Sequence, residues 1–204
     1  FEGWAMRASL GALLTLQPNV PAAAIPVSAA DLPALGEFCR ANLLALLQGA
    51  TPSYFAFGLP DGNIPGAVLT VLDAEGHEQL QVHRLSLKNS LPLQSTLFGL
   101  TESLAQSVRQ TRLSPDKLRE LRIVVSVLAE PSMHGSVAEP DLRGVDSVRH
   151  ALVVMERNRQ ATVYLTQAAP EELLAAAAKA VGVVVSESTQ ILALDVLSAL
   201  PHFR

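Results

Sequence analysis

The fold is decided by one stretch of the chain, Leu118-Arg-Glu-Leu-Arg-Ile-Val-Val-Ser-Val-Leu-Ala-Glu-Pro131. A short charged helical turn leads into the nearly unbroken apolar segment 121–128. A strand of this kind must be covered on both faces, so it predicts the centre of a sheet. We expect the strand to stop before Pro131 and a loop to occupy residues 129–146.

Outward from this strand, apolar residues at helical spacing predict helices over 31–48, 92–113 and 170–181. Strands are predicted over 67–72, 77–87, 148–155, 161–166 and 190–197, with a bulge near Arg84 where the apolar phase of its strand shifts. Helices and hairpins alternate without a regular strand–helix–strand rhythm. The sequence therefore predicts an α+β fold, in which the three helices pack on one mainly antiparallel sheet.

The first 27 residues have a different character from the rest. Pro18, Pro21 and Pro26 are separated by alanine-rich residues, which is typical of a semi-rigid linker. We interpret 1–27 as an N-terminal tail and linker, of the kind that ends a preceding domain. Residues 28–204 are then interpreted as one α+β domain.

Composition excludes several classes of protein. Hydrophobic residues make up 49% of the 204 residues and charged residues 17%, which favours additional buried surface against a partner or a second domain. A net charge of −4 argues against general nucleic-acid binding. No apolar run reaches the roughly 18 residues of a membrane span. The single cysteine excludes a disulfide-rich secreted class, so we expect a cytoplasmic protein; the oligomeric state stays open.

Several short strings, in order between residues 31 and 198, resemble the AMMECR-type domain, protein A of the AmmeMemoRadiSam systems. The strand G-x-F-V-T-L of that family is similar to Gly66-Ala-Val-Leu-Thr-Val-Leu72, and Glu75-Gly76 resembles the turn after it. Further matches along the chain are Pro92-Leu93, Glu120-Leu121, Ser126-Val127-Leu128, His150-Ala-Leu-Val-Val154 and Lys179-Ala-Val-Gly182. The resemblance implies an α+β fold, and a radical-SAM protein and a Memo-type protein as companions or fused domains.

The chain departs from that family at its signature. Where the family has L-R-G-C-I-G, this chain has Leu80-Gln-Val-His-Arg-Leu85, so that only the leucine is kept. We therefore interpret the chain as a degenerate copy without a cofactor, which docks a partner protein and whose biochemical activity is open. The loop 50–65 concentrates Tyr54, Phe55 and Phe57, which we predict to form an aromatic docking anchor. The alternative is that these rings close one end of the core.

A competing interpretation is an enzyme or a small-molecule-binding protein. Its pocket would lie near His83, Arg84 and His150, with Glu130 and Arg149 contributing from nearby strand ends. His134 and Asp146, also near strand ends, are further candidates for such a cleft. General acid–base catalysis would require one of the histidines within hydrogen-bond reach of a substrate proton.

Two other candidate sites have simpler interpretations. Cys39 has the residue type of a nucleophile, but it lies on the apolar side of a helix and is predicted to be an inert core thiol. His77 and His83 are separated by an even number of residues, which would place both on one strand face, where Asp73 or Glu78 would complete a metal site. The predicted bulge argues against that geometry, and we expect no metal.

Overall fold

The structure is a computed structural model that describes residues 26–87, 89–111, 120–156, 159–163, 168–181 and 189–200. The predicted tail therefore lies, up to residue 25, outside the described residues. The fold is α+β, with helices packed against mainly antiparallel strands, as the sequence predicts. The described residues form two compact units, which we call the N-terminal unit (26–129 with 197–200) and the C-terminal unit (Glu130–Val196).

The described residues of the N-terminal unit form two helices, four strands, the first part of a fifth strand and the end of the last strand of the chain. In chain order these elements are α1 (Leu32–Gln48), β1 (Asn63–Ile64), β2 (Gly66–Leu72), β3 (Glu78–Leu85), β4 (Leu91–Pro92), α2 (Leu93–Thr111) and β5 (Arg122–Ser136). Strand β2 lies between β3 and β5 and pairs antiparallel with both. The short strands β1 and β4 pair with each other.

The C-terminal unit contains the rest of β5, then β6 (His150–Glu156), β7 (Arg159–Val163), α3 (Pro170–Val181) and most of β8 (Gln190–Ser198). Strand β6 pairs antiparallel with β7 and with β8. Helix α3 begins at Pro170, where the N–H that proline lacks would have no partner within the helix. Two glutamates in its first turn complement the helix dipole. Leu152, Val154, Leu173, Ala177 and Ile191 are central to the core of this unit.

The predicted two-sided burial of β5 is confirmed, because every residue from Ile123 to Ala129 is buried. On one face Ile123, Val125 and Val127 join a single hydrophobic cluster with the leucines of α1 and α2. On the other face Ser126 is also fully buried, and its Oγ lies 2.6 Å from the Oγ of Ser198. Helices α1 and α2 therefore cover the face of β5 that carries Ile123, Val125 and Val127.

Two local predictions are wrong. Strand β5 does not stop at Pro131 but continues to Ser136, with Glu130 at a positive φ of 34°. A proline has no backbone N–H to give to a sheet, and β5 can accommodate it because pairing with β2 ends at Leu128. The predicted loop 129–146 therefore begins only after Ser136.

The predicted bulge near Arg84 is also absent from that position. His83, Arg84 and Leu85 pair regularly with β2, and the register shift lies at the other end of β3, opposite Val71 and Leu72. The shift of apolar residues along β3 has another cause: Leu80 and Val82 pack on the face of the strand that meets the helices, whereas Leu85 is buried on the opposite face. Burial on both faces needs no bulge.

Helix α1 approaches β5 unusually closely at Gly36. A Cβ atom added to Gly36 would lie 2.6 Å from the carbonyl oxygen of Ile123, which is backbone and cannot swing away. At Gly99, in the interior of α2, the nearest atom to an added Cβ is an Arg84 side-chain nitrogen 3.8 Å away. The two helical glycines are therefore a matched pair, one crowded and one with room.

We expect Gly36→Ala to lower the free energy of unfolding by about 1–3 kcal/mol, because the helix must move off β5. Gly99→Ala should leave stability unchanged or raise it by up to ~1 kcal/mol, since alanine is the better helix former. Urea unfolding followed by circular dichroism measures both variants. Equal effects of the two substitutions would contradict the close contact.

Candidate functional site

We call the loop 50–65 the aromatic loop. Its three aromatic side chains are on the surface. Tyr54 is 60% exposed, Phe55 45% and Phe57 93%. A ring that is 93% exposed cannot close the end of a core, so the exposed fractions favour the docking interpretation for Phe57 over the core interpretation. The twelve residues from Gly49 to Pro60 contain no charged side chain.

Two buried amide side chains fix the backbone of the aromatic loop. Asn42 of α1 donates from Nδ2 to the carbonyl oxygen of Ser53 (2.8 Å) and accepts at Oδ1 from the N–H of Ser53 (2.7 Å). Gln94, at the start of α2, accepts at Oε1 from the N–H of Ala56 (2.8 Å). Its Nε2 lies 3.2–3.3 Å from the carbonyl oxygens of Ala56, Leu59 and Pro60.

Both amides are almost completely buried, Asn42 at 2% and Gln94 at 1% exposure. A buried amide is costly unless it is hydrogen-bonded, and here the partners are backbone groups of the loop itself. If the loop left this conformation, the two buried amides would lose their hydrogen-bond partners. The exposure of the aromatic rings is therefore a property of a fixed loop.

The rings also contact one another and α2. Phe55 and Phe57 meet edge-on, with ring centroids 5.6 Å apart and planes inclined by 69°. Tyr54 packs on Phe98 of α2 with centroids 4.6 Å apart, and its hydroxyl lies 3.3 Å from the Ser95 Oγ. Such edge and tilted contacts are the favourable ring geometries, so they restrain the exposed side chains.

The structure places His83 and Arg84 next to each other on the regular strand β3, so their side chains point to opposite faces. Arg84 lies toward α2, with its Nη1 near Gly99, whereas His83 is paired with the buried Val68 of β2. Desolvation by burial lowers the pKa of His83 below its usual value, so this histidine is more readily neutral than an exposed one. Arg84 is exposed.

His150, at the start of β6, has protein partners at both ring nitrogens. Nδ1 lies 2.8 Å from the backbone nitrogen and 3.1 Å from the backbone carbonyl oxygen of Asp146, and Nε2 lies 3.0 Å from Oδ1 of Asp195. The carboxylate on one side and the Asp146 backbone on the other hold the ring in place. His150 therefore fastens the start of β6 to β8, and neither nitrogen is turned toward a substrate.

The predicted pocket residues are divided between the two units. His83 and Arg84 belong to the N-terminal unit, whereas Glu130, Arg149 and His150 belong to the C-terminal unit. Glu130 and Arg149 are exposed. A pocket built from all five stays a prediction.

Cys39 is confirmed as a core residue. Its side chain is fully buried, and desolvation raises the pKa of its thiol to about 12. The reactive form of cysteine is the thiolate, which is scarce at neutral pH for such a group. Cys39 therefore packs as a small apolar side chain.

The histidine pair considered for a metal does not form on one strand, because His77 lies in the turn before β3. Ligand atoms of Asp73, Glu75 and His77 instead lie within 4.8 Å of one another. The Asp73 carboxylate accepts from the N–H of His77 (2.8 Å) and from Nε2 of Gln79 (2.8 Å), which closes the hairpin. This cluster has the geometry of a turn between two strands.

Sequence reasoning missed Asn42 and Gln94, the two residues that hold the aromatic loop. Polar side chains near a helix end are normally interpreted as solvent-exposed, and nothing in the local pattern distinguishes these two. The only signal is the loop itself: the sequence predicts neither helix nor strand for the sixteen residues 50–65, so their backbone needs hydrogen-bond partners from elsewhere.

Comparison with known proteins supports the fold alone. No family model and no curated protein matches this chain. Among solved structures, the chain is similar to the uncharacterised protein PH0010 from Pyrococcus horikoshii, with 18% sequence identity and a TM-score of 0.62. The match covers 84% of this chain and 92% of that chain. The fold of this chain is therefore similar to one already seen in a solved structure.

We expect Gln94→Ala to loosen the aromatic loop and to lower the free energy of unfolding by about 1–3 kcal/mol, because it removes the partner of the Ala56 N–H and of three carbonyl groups. Limited chymotrypsin digestion with mass spectrometry measures the loosening as faster cleavage after Phe55 and Phe57.

Gln106→Ala is the matched control for this experiment, since Gln106 lies on the exposed side of the same helix. Chymotrypsin should cleave this variant at the same rate as the unsubstituted protein. If the Gln94→Ala variant is also cleaved at that rate, the amide of Gln94 does not hold the loop.

Proposed function

We propose that this protein is a degenerate AMMECR-like module that acts by docking a partner protein through the aromatic loop. The partner we propose is a companion of a radical-SAM/Memo-type system, as the sequence resemblance implies. One observation carries the proposal: exposed aromatic rings are presented on a loop whose backbone is fixed by buried Asn42 and Gln94.

Fixing the loop before binding matters energetically. Ordering a flexible loop and its side chains costs roughly 0.5–1.5 kcal/mol for each immobilised side chain, and that cost is subtracted from the affinity. In this loop the hydrogen bonds to Asn42 and Gln94, together with the ring contacts, have already restricted the backbone and the rings. Burial of Phe55 and Phe57 against a partner would therefore contribute to binding with little ordering cost.

The chemistry of the loop also indicates what the partner must offer. Because no charge occurs between Gly49 and Pro60, the complementary surface should be an apolar depression able to enclose two edge-on rings. Aromatic anchors that fill such pockets are typical of the residues that dominate binding energy at protein interfaces. A charged partner surface would instead be desolvated without compensation.

The alternative function, an enzyme pocket near His83, Arg84 and His150, is less well supported. Adjacent residues on β3 point to opposite faces, and both nitrogens of His150 are occupied by Asp146 and Asp195. His83 and Arg84 therefore do not share one face of β3, and His150 already has a protein partner at each nitrogen.

The test is binding of the purified chain to the purified radical-SAM and Memo-type proteins of the same organism, measured by isothermal titration calorimetry. The double variant Phe55→Ala/Phe57→Ala should weaken binding about 30-fold or more, since truncating one aromatic hot spot costs ~2 kcal/mol. Circular dichroism should show an unchanged fold, because both rings are exposed in the free protein.

Met133→Ala is the control, as Met133 is an exposed apolar residue (42%) of the C-terminal unit and outside the aromatic loop. Its affinity should equal that of the unsubstituted chain. The proposal fails if neither protein binds the intact chain, or if the double phenylalanine variant binds as tightly as the Met133 variant.

A further inference from the structure

The continuation of β5 beyond Pro131 brings two polar side chains together on the C-terminal unit. Ser132 and His134 are two residues apart on a strand, which places both on the same face. The Ser132 Oγ lies 3.0 Å from Nε2 of His134. Ser132 is exposed and His134 is half-buried, so the hydroxyl is accessible from solvent while the imidazole is partly shielded.

The tautomer of His134 follows from its other partner. Nδ1 of His134 lies 2.9 Å from the backbone carbonyl oxygen of Asp141, which can only accept a hydrogen bond. Nδ1 therefore carries the hydrogen, and Nε2 presents its lone pair to the hydroxyl of Ser132.

A tight reversal of the chain holds the imidazole in this position. The N–H of Asp141 donates to the carbonyl oxygen of His134 (2.9 Å), so the two residues are bonded through backbone and side chain at once. Gly135, at a φ of 81°, allows the reversal: a Cβ there would lie 2.5 Å from the carbonyl oxygen of Glu139. The orientation of His134 is therefore fixed by backbone geometry.

Asp141, whose backbone carbonyl oxygen lies against Nδ1 of His134, forms an ion pair with Arg143. Arg143 donates to both carboxylate oxygens of Asp141, at 2.7 and 2.6 Å. These bonds lower the pKa of the Asp141 carboxyl to about 2, and protonated His134 contributes in the same direction. The carboxylate is therefore ionised at neutral pH.

We propose that Ser132 and His134 form a nucleophile–base pair for transfer of an acyl group from a carboxylic ester to water. A hydroxyl within hydrogen-bond reach of a base, with the base oriented by a third group, is the arrangement that activates a serine. The carbonyl of Asp141 is that third group. This site is independent of the proposed docking function, since the aromatic loop belongs to the N-terminal unit.

The reaction balances with water as the only co-reactant. The Ser132 Oγ bonds to the ester carbonyl carbon as its proton passes to Nε2 of His134, and that proton leaves with the alcohol when the carbon–oxygen bond breaks. Water then attacks the acyl-serine, gives one proton to Nε2, and the carboxylic acid departs as Ser132 recovers its hydrogen. His134 ends each cycle in its starting tautomer.

A second acceptor competes for the same proton. The Ser132 Oγ also lies 3.2 Å from the carbonyl oxygen of Ala193 on β8, and one hydroxyl hydrogen cannot serve both partners. A serine used only to link β5 to β8 would donate to Ala193 and remain unreactive. The reactivity of Ser132 toward an electrophile distinguishes the two roles.

The probe is a fluorophosphonate, which labels serines activated by a base, followed by peptide mass spectrometry. We expect the label on Ser132 and its loss in Ser132→Ala. With 4-nitrophenyl acetate the intact chain should release a burst of nitrophenolate, and His134→Gln should reduce the acylation rate roughly 10²–10⁴-fold, the usual contribution of a general base.

Ser107→Ala is the matched control, because the Ser107 hydroxyl donates to the Ser103 carbonyl within α2 and has no histidine partner. It should label and react like the unsubstituted chain. An unlabelled Ser132, or a burst that survives Ser132→Ala, overturns the proposal. The partner-binding result is unaffected by either outcome, because Phe55→Ala/Phe57→Ala should keep full labelling.

Discussion

The burial of β5 on both faces is the constraint on which the N-terminal unit depends. Seven consecutive residues, Ile123–Ala129, are removed from water, and α1 and α2 cover one side of them. At Gly36 helix and strand approach until only a hydrogen atom fits between α1 and the Ile123 carbonyl oxygen. This contact fixes the position of α1, and with it the position of Asn42 six residues further along the helix.

The aromatic loop is a consequence of that placement. Here the arrangement is opposite to that of an ordinary core: the amides of Asn42 on α1 and Gln94 on α2, which hold the loop, are buried, and the rings of Phe55 and Phe57 are exposed. Burying the amides is tolerable since the loop backbone supplies the hydrogen bonds. Exposing the rings costs hydrophobic free energy, which burial against a partner would recover.

The histidines of the C-terminal unit show how backbone contacts decide what a side chain can do. Nδ1 of His134 donates to the carbonyl oxygen of Asp141, whereas Nδ1 of His150 contacts both the N–H and the carbonyl oxygen of Asp146. The remaining nitrogen of His134 therefore accepts from a serine, and that of His150 donates to Asp195. The same residue type thus forms a base in one place and a structural link in the other.

The sequence by itself determined the α+β class, the three helices and the buried centre of β5, because these follow from apolar periodicity and from runs that must be covered on both faces. It also identified the aromatic residues of the loop and the core role of Cys39. It could not reveal that β5 continues past Pro131, since the loss of one hydrogen-bond donor matters only where a neighbouring strand needs it. Contacts between residues far apart in the chain, such as Gln94 with Ala56 or His134 with Asp141, were decided only by the tertiary structure. Hydrogen bonds depend on distance and direction in space, and a linear pattern records neither.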